Sequence, residues 1–379
     1  VNSGIRSVGV ATQHKPDALI RHLDTVWRTT SWQRSHHIEP WPAEQCAPGW
    51  GYRGTADAVF RNLDVIERPD CRLVVILAGD HVYKMDYRPM LAYHCEKRAD
   101  VTVACIDVPV GQAHQFGIVS VDEGGRIACF VEKPKTPAEL PAGLPAGTGV
   151  TASMGIYVFD VDFLGRVLRR DALSGSSKHD FGGDILPDLL DEAGVYAFPF
   201  RTPDGQRPGY WRDVGTPEAY WRAHMELLGP SSGLVLDDPL WPLPAVQGAP
   251  RLVARRAGPA AHMDACSSLL ADGCEIRGTV RQSVLFPGVE VRRGASVAEA
   301  VILPDATIGK DCRLRGVIVD SGCHVPEGTV IDGWAPRRSP PRRGPIVVAR
   351  VDLPRSLSMY GSASVRSSSG GRLRLGASS

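Results

Sequence analysis

Along the first 230 residues, short apolar runs alternate with amphipathic ones. SVGVAT (7–12), RLVVILAG (72–79), VTVACIDV (101–108), GIVSV (117–121), IACFVEK (127–133), SMGIYVFD (153–160) and VYAFPF (195–200) read as strands. PDALIRHL (16–23), TADAVFRNLDVIE (55–67), MLAYHCEKR (90–98), DFLGRVLRR (162–170) and PEAYWRAHMELL (217–228) read as helices. RLVVILAG reads as a strand buried on both faces. This alternation predicts an α/β domain over residues 1–230, Rossmann-like, with a mostly parallel sheet and helices on both sides.

The pattern changes after a Pro-, Gly- and Ser-rich connector at 231–262. Aliphatic residues then recur with a step of six: Leu285, Val291, Val297 and Leu303, then Ile302, Ile308 and Leu314, then Val319, Val325 and Ile331. The phase slips by one residue between series. A step of six suits a left-handed parallel β-helix, expected over 263–333, in which each flat side sends one aliphatic inward. An irregular β-rich domain is the alternative. Residues 334–379 hold nine Arg and ten Ser against one acidic residue, Asp352. They read as a disordered basic tail or the product of a shifted reading frame, and no function is built on them.

Composition narrows the function classes. The 379 residues are 43% hydrophobic, enough for two domains or more. A formal net charge of +1 points to neither nucleic acid nor a membrane surface as the main partner. There is no run of 18 apolar residues and no signal-peptide layout, so a cytoplasmic protein is expected. The chain opens VNSGIRSVGV without an initiator Met, which reads as a fragment. Nine Cys, none in a C-x-x-C pair, read as reduced core thiols rather than a zinc site.

Six runs carry candidate chemistry. In YRGTADAV (52–59), glycine beside small residues permits close backbone approach to a flat ligand, and the helix that follows offers N–H groups at its start. A capped helix start is the plain alternative. In LAGDHVYKMDY (77–87), Asp80 sits at the carboxyl edge of a strand, where ligands of open α/β sheets bind. It could hold Mg²⁺ or cap a helix. In FGIVSVDEGGRIACFVEKP (116–134), two strands join through Gly124 and Gly125, and Glu132 and Lys133 end the second. Neighbours on a strand point to opposite faces, so these two share a site only if the strand ends or bulges there. Otherwise they form an exposed charge pair. Ser153, expected at a strand start in ASMGIYVFD (152–160), reads as a sugar contact or a turn serine, KHDFGGDILP (178–187) reads as a site-edge or surface loop, and YWRDVGT (210–216) brings a second isolated Asp, Asp213. Two Asp on one metal suit nucleotidyl chemistry, but spacing does not demonstrate their convergence.

Together these runs resemble the sugar-nucleotide pyrophosphorylases, and within them the bacterial glucose-1-phosphate adenylyltransferases. VNSGIR, YRGTADAV, LAGDHVYKMDY, FGIVSVDE, FVEKP, ASMGIYVF, HDFG and YWRDVGT follow that family's order over residues 1 to about 333. The resemblance implies that ATP and α-D-glucose 1-phosphate give ADP-glucose and pyrophosphate for glycogen or α-glucan synthesis, in a homotetramer using Mg²⁺. Asp80 and Asp213 match the metal-holding pair and, with Lys133, the catalytic set. Tyr52, Gly117, Glu132, Lys133 and Ser153 match contacts to glucose 1-phosphate. Gln13, Gly54, Thr55 and Ala56 match positions near the nucleotide, and Arg68 matches part of a regulatory surface or a solvated helix end. The family's opening Gly-rich loop, GGxGxRLxPLT, does not occur here, which implies little activity for this chain alone. A related transferase using another nucleotide, or a non-catalytic regulatory subunit, are the alternatives.

Overall fold

In the computed structural model, the described residues are 2–14, 16–27, 37–43, 51–141, 149–202, 205–229, 233–236, 238, 241, 253–254, 268–334, 344–349, 359–360, 365–366 and 372–373. They fall into two units. The first takes in residues 1–79, 83–211 and 237–246; the second takes in 80–82, 212–236 and 247–379.

The first unit opens with β1 (Ser7–Thr12), α1 (Asp17–His22) and β2 (His37–Pro42), the two strands pairing in parallel. Helix α2 (Thr55–Phe60) follows, shorter than the 55–67 expected because the helix breaks at Arg61–Asn62 and resumes for one turn at Leu63–Ile66. Next come β3 (Leu73–Leu77), α3 (Arg88–Lys97), β5 (Val101–Pro109), β6 (Gly117–Val121), β7 (Ile127–Glu132), β8 (Gly149–Asp160), α4 (Val161–Ala172) and β9 (Val195–Pro199); β4 (His81–Tyr83), between β3 and α3 in the chain, has its first two residues in the second unit.

Six of these strands form one sheet in the order β7-β6-β8-β5-β9, with β3 also on β8. Its two faces carry separate cores. Val101, Val103, Tyr157 and Phe159 pack on one side with Leu164 and Leu168 of α4; Ala104, Ile106, Met154, Ile156 and Val158 pack on the other with Met90 of α3. Apolar residues at both parities explain the continuous apolar runs. Parallel pairing dominates among the described residues, but inside this sheet the expectation of mostly parallel strands needs correction. Only β5–β9 is parallel; β3–β8, β5–β8, β6–β7 and β6–β8 are antiparallel. The turn at Gly124–Gly125 is too short for the crossover a parallel pair requires. Strand β3 is half-buried rather than buried on both faces, and Leu77 is exposed. It pairs only with β8 among the described residues.

The second unit holds β10 (Trp211–Asp213), which pairs with β4, then α5 (Pro217–Glu226) and a parallel β-helix. Thr216 caps α5, accepting the Ala219 amide, with Pro217 at the first turn. After β11 (Val253–Ala254), which pairs antiparallel with β12, the coils run from β12 (Leu269–Leu270), β13 (Glu275–Ile276), β14 (Thr279–Arg281), β15 (Val284–Leu285) and β16 (Glu290–Val291) through β17 (Ser296–Ile302), β18 (Thr307–Ile308), β19 (Arg313–Val319), β20 (His324–Val325) and β21 (Val330–Asp332).

The pairings Val284↔Val301, Glu290↔Thr307 and Ser296↔Arg313 each join residues one coil apart. From Val284 on, the coil therefore advances 17 residues, in inward steps of six, six and five, and this is the origin of the phase slip; the first coil, Leu269↔Val284 and Glu275↔Glu290, is shorter. Leu285, Ile302 and Val319 stack in the core, as do Val291, Ile308 and Val325, and Val297, Leu314 and Ile331. Leu303 is only partly buried; Ile302 takes the inward place expected of it. Each corner holds left-handed residues in register: Gln282, Glu299 and Gly316; Gly288, Asp305 and Gly322; Gly294, Asp311 and Gly328. The third side is turned inside continuous strands at Glu299 and Gly316, which shortens it by one residue. Within the tail expected to lack order, β22 (Ile346–Val348) adds a further parallel strand on β19, with Ile346 and Val348 buried. Most of the tail, and Cys46 and Cys266, lie outside the described residues.

Candidate functional site

Gln13 follows the last residue of β1, and its Oε1 accepts the Tyr52 amide at 2.9 Å. Gly51, at φ 58°, lies so close that an added Cβ would come within 2.9 Å of Gln13 Nε2. The Tyr52 hydroxyl donates to the Trp41 carbonyl at 2.9 Å and accepts from Asn62 Nδ2 at 3.1 Å. Two of the residues named from sequence are thus in direct contact.

At the start of α2 the chain meets the 178–181 loop. A Cβ on Gly54 would sit 2.3 Å from the His179 carbonyl oxygen and 2.4 Å from that of Lys178, so only glycine allows this approach. The Ala56 amide donates to the His179 carbonyl at 2.8 Å. The Thr55 hydroxyl donates to Asp180 Oδ2 at 2.9 Å and accepts the Phe181 amide at 3.1 Å. Not every amide at this helix start is free for a ligand: Ala56 is engaged, and the Arg53 amide donates to Asp57 Oδ2.

Asp57 was not singled out from sequence. Its carboxylate is fully buried between Arg53 (3.0 Å) and Arg61 (2.8 Å). Burial pushes the carboxyl pKa up, but the Arg53 amide and the two guanidiniums outweigh it and hold the group below the usual carboxylate range. The spacing Arg53, Asp57, Arg61 was the available signal, since residues four apart share a helix face.

Strand β7 ends at Glu132, opposite Gly117 of β6. Lys133 is left-handed, at φ 45°, and its amide donates to the Phe116 carbonyl at 3.0 Å. That turn brings Lys133 Nζ to 3.7 Å from Glu132 Oε1, so the two neighbours occupy one site. A Cβ on Gly117 would lie 2.8 Å, and one on Gly182 2.7 Å, from Glu132 Oε2; the carboxylate is seated between two glycines. Burial raises the Glu132 pKa; Lys133 opposes the shift and the Asp180 carboxylate adds to it.

Ser153 is buried in the middle of β8, not at a strand start, because the strand begins at Gly149. Here β8 slips in register against Val103–Cys105, with Gly155 at φ 65°. The bulge lets the Gly155 amide donate to the Ser153 hydroxyl at 3.2 Å.

In the second unit, the Val214 amide donates to the Asp80 carbonyl at 2.9 Å. A Cβ on Gly215 would be 3.1 Å from Asp213 Oδ1 and 3.2 Å from Asp80 Oδ2, so both carboxylates converge on one point. Asp80 caps no helix, for strand β4 follows it. Asp213 Oδ1 accepts the Gly215 amide at 2.7 Å, which closes a turn and fixes the carboxylate's direction. Among the described residues no cluster of three or more His, Cys, Asp or Glu could cage a metal. Two carboxylates, one of them 62% exposed, instead fit a hard cation that completes its shell with water and phosphate.

Arg68 lies apart from these groups; its guanidinium donates to the Val65 carbonyl and the Ser7 hydroxyl. A cavity of about 390 Å³ lined by Tyr93, Asp107, Glu123 and Arg201 lies at the turn end of the β6–β7 hairpin, and none of the candidate residues lines it. No helix among the described residues is long and apolar enough to cross a membrane.

Residues 1–229 match the family model for nucleotidyl transferases, and residues 250–338 match the model described as GlmU-like, C-terminal hexapeptide. The chain is 44% identical over 340 residues to the glucose-1-phosphate adenylyltransferase of Methylococcus capsulatus, covering 87% of this chain and 78% of that protein. It is 45% identical over 341 residues to the enzyme of that name from Nitrosococcus oceani, with the same coverage. A third protein, glucose-1-phosphate adenylyltransferase 2 of Alkalilimnicola ehrlichii, is 45% identical over 340 residues, again covering 87% and 78%.

Proposed function

The chain belongs to the glucose-1-phosphate adenylyltransferases, and on that basis we propose that it transfers the adenylyl group of ATP to α-D-glucose 1-phosphate, yielding ADP-glucose and pyrophosphate. The observation that carries the reading is the convergence of the Asp80 and Asp213 carboxylates beside Gly215. A phosphate oxygen of the sugar phosphate forms a bond to the α-phosphorus as the bond to the pyrophosphate oxygen breaks. Little covalent work falls to the protein, so positioning and charge stabilisation dominate.

Asp80 and Asp213 would hold Mg²⁺, which when bound neutralises phosphate charge. Lys133, exposed at its ammonium end and turned toward Glu132, would hold the sugar's phosphate. Glu132 would accept hydrogen bonds from sugar hydroxyls, with Gly117 and Ser153 nearer the strand backbone. Gln13, Tyr52 and the Gly54–Ala56 turn would meet the nucleotide and the border of the substrate site. The family reading extends to a homotetramer.

The test is pyrophosphate release by the purified full-length protein with glucose 1-phosphate and ATP, UTP or dTTP in turn. The reading predicts Mg²⁺-dependent turnover with a preference for ATP. Preference for UTP or dTTP would replace it with a related transferase, and no turnover with any of the three would favour a non-catalytic subunit.

A further inference from the structure

We propose that His179 and Asp171 are positioning residues that set the nucleotide and sugar subsites through one loop, an inference that rests on the functional reading above. His179 is a non-glycine residue at φ 57°, a left-handed conformation that carries a cost unless its surroundings enforce it. The enforcement is visible. Its side chain is 5% exposed, and its Nδ1 lies 2.7 Å from Asp171 Oδ2, near the end of α4. The Ser177 hydroxyl donates to the other oxygen of Asp171 and accepts the His179 amide at 2.9 Å. Asp171, Ser177 and His179 thus form a closed cluster, His179 buried and the other two half-buried, that overdetermines the backbone at 177–179.

What that backbone holds is the site. The His179 carbonyl accepts the Ala56 amide and, with that of Lys178, abuts Gly54. The next residue, Asp180, accepts the Thr55 hydroxyl with one oxygen and the Gly183 amide with the other. Gly182 then backs the Glu132 carboxylate. One loop therefore touches the nucleotide turn on one side and the sugar carboxylate on the other. Neither His179 nor Asp171 needs to reach a substrate; each acts through this loop.

The test uses the full-length protein, thermal unfolding and equilibrium binding of ATP and glucose 1-phosphate beside steady-state kinetics. His179→Ala, which keeps the awkward backbone and loses the donor, is expected to weaken binding of both substrates tenfold or more. His179→Asn is expected to restore both to within about threefold. Asn tolerates the left-handed region, and its amide nitrogen takes the place of Nδ1. His179→Gly relieves the backbone but supplies no donor, and both affinities should stay weak. Should His179→Ala not fold, Asp171→Ala carries the same expectation. A folded His179→Ala with unchanged binding, loss confined to one substrate, or full rescue by His179→Gly would each overturn the inference. A wild-type protein that makes no ADP-glucose would sink the functional reading first, and this inference with it.

Discussion

The Val214 amide donates to the carbonyl oxygen of Asp80, and that bond, continuing the pairing of β10 with β4, sets Asp213 beside Asp80 although they lie far apart in sequence. Gly215 leaves open the space the two carboxylates face. Its φ is not left-handed, so alanine there is conformationally acceptable, but its Cβ would crowd both oxygens. Gly215→Ala is expected to lower kcat at least tenfold, while stability changes by no more than about 0.5 kcal/mol. Kinetics and thermal unfolding on the same preparation check both halves.

Asp57 makes a stability prediction. Asp57→Asn keeps the shape but removes a charge bonded by two arginines, and should cost roughly 2–3 kcal/mol. The folded pKa is depressed, so the native carboxylate's contribution is complete above the ordinary value of about 4. It is lost as pH falls through the lower, folded value. Urea unfolding at pH 7 should show the full gap between wild type and variant, and a series into acid should show it closing.

Glu132 makes the opposite one. Its pKa is raised, chiefly by burial, so the ionised form is a burden on the folded state at neutral pH. Stability linked to this group is present below about pH 4 and is lost as pH rises through the raised value. Glu132→Gln should therefore be at least as stable as wild type at pH 7, yet show a KM for glucose 1-phosphate raised tenfold or more. A variant that is both destabilised at pH 7 and unchanged in KM would contradict the assignment.

The β-helix core offers a packing test. Ile302 is fully buried at the inward position where the six-residue phase slips. Ile302→Ala should cost about 3 kcal/mol through lost burial and an unfilled cavity. Leu303→Ala, one residue along, should cost clearly less because Leu303 is only partly buried. Chemical denaturation of the pair distinguishes the 17-residue coil from a strict 18-residue repeat, which would reverse the order.

Much of this was legible because local chemistry announced it. The apolar run before Gly79 marked a strand, β3, that stops at Leu77 just short of Asp80, Pro134 signalled that β7 stops at Glu132, and the aliphatic steps announced the β-helix. Less legible were features decided by tertiary contacts. The register slip that places Ser153 at a bulge depends on β5, and the antiparallel course of β3 depends on β8. His179 looked like an ordinary loop residue because its left-handed backbone and its partner Asp171 exist only once the loop folds onto α4. The shortened side of each coil reads in sequence as an irregularity, since the corner at Glu299 lies inside a strand and not at a Gly or Pro break.

The most direct measurement is Mn²⁺ binding, followed by electron paramagnetic resonance, to the full-length protein saturated with ADP-glucose. The account predicts one tight ion per subunit in the wild type, and at least tenfold weaker binding in Asp80→Asn and Asp213→Asn while ADP-glucose still binds. Undiminished Mn²⁺ affinity in both variants would contradict it.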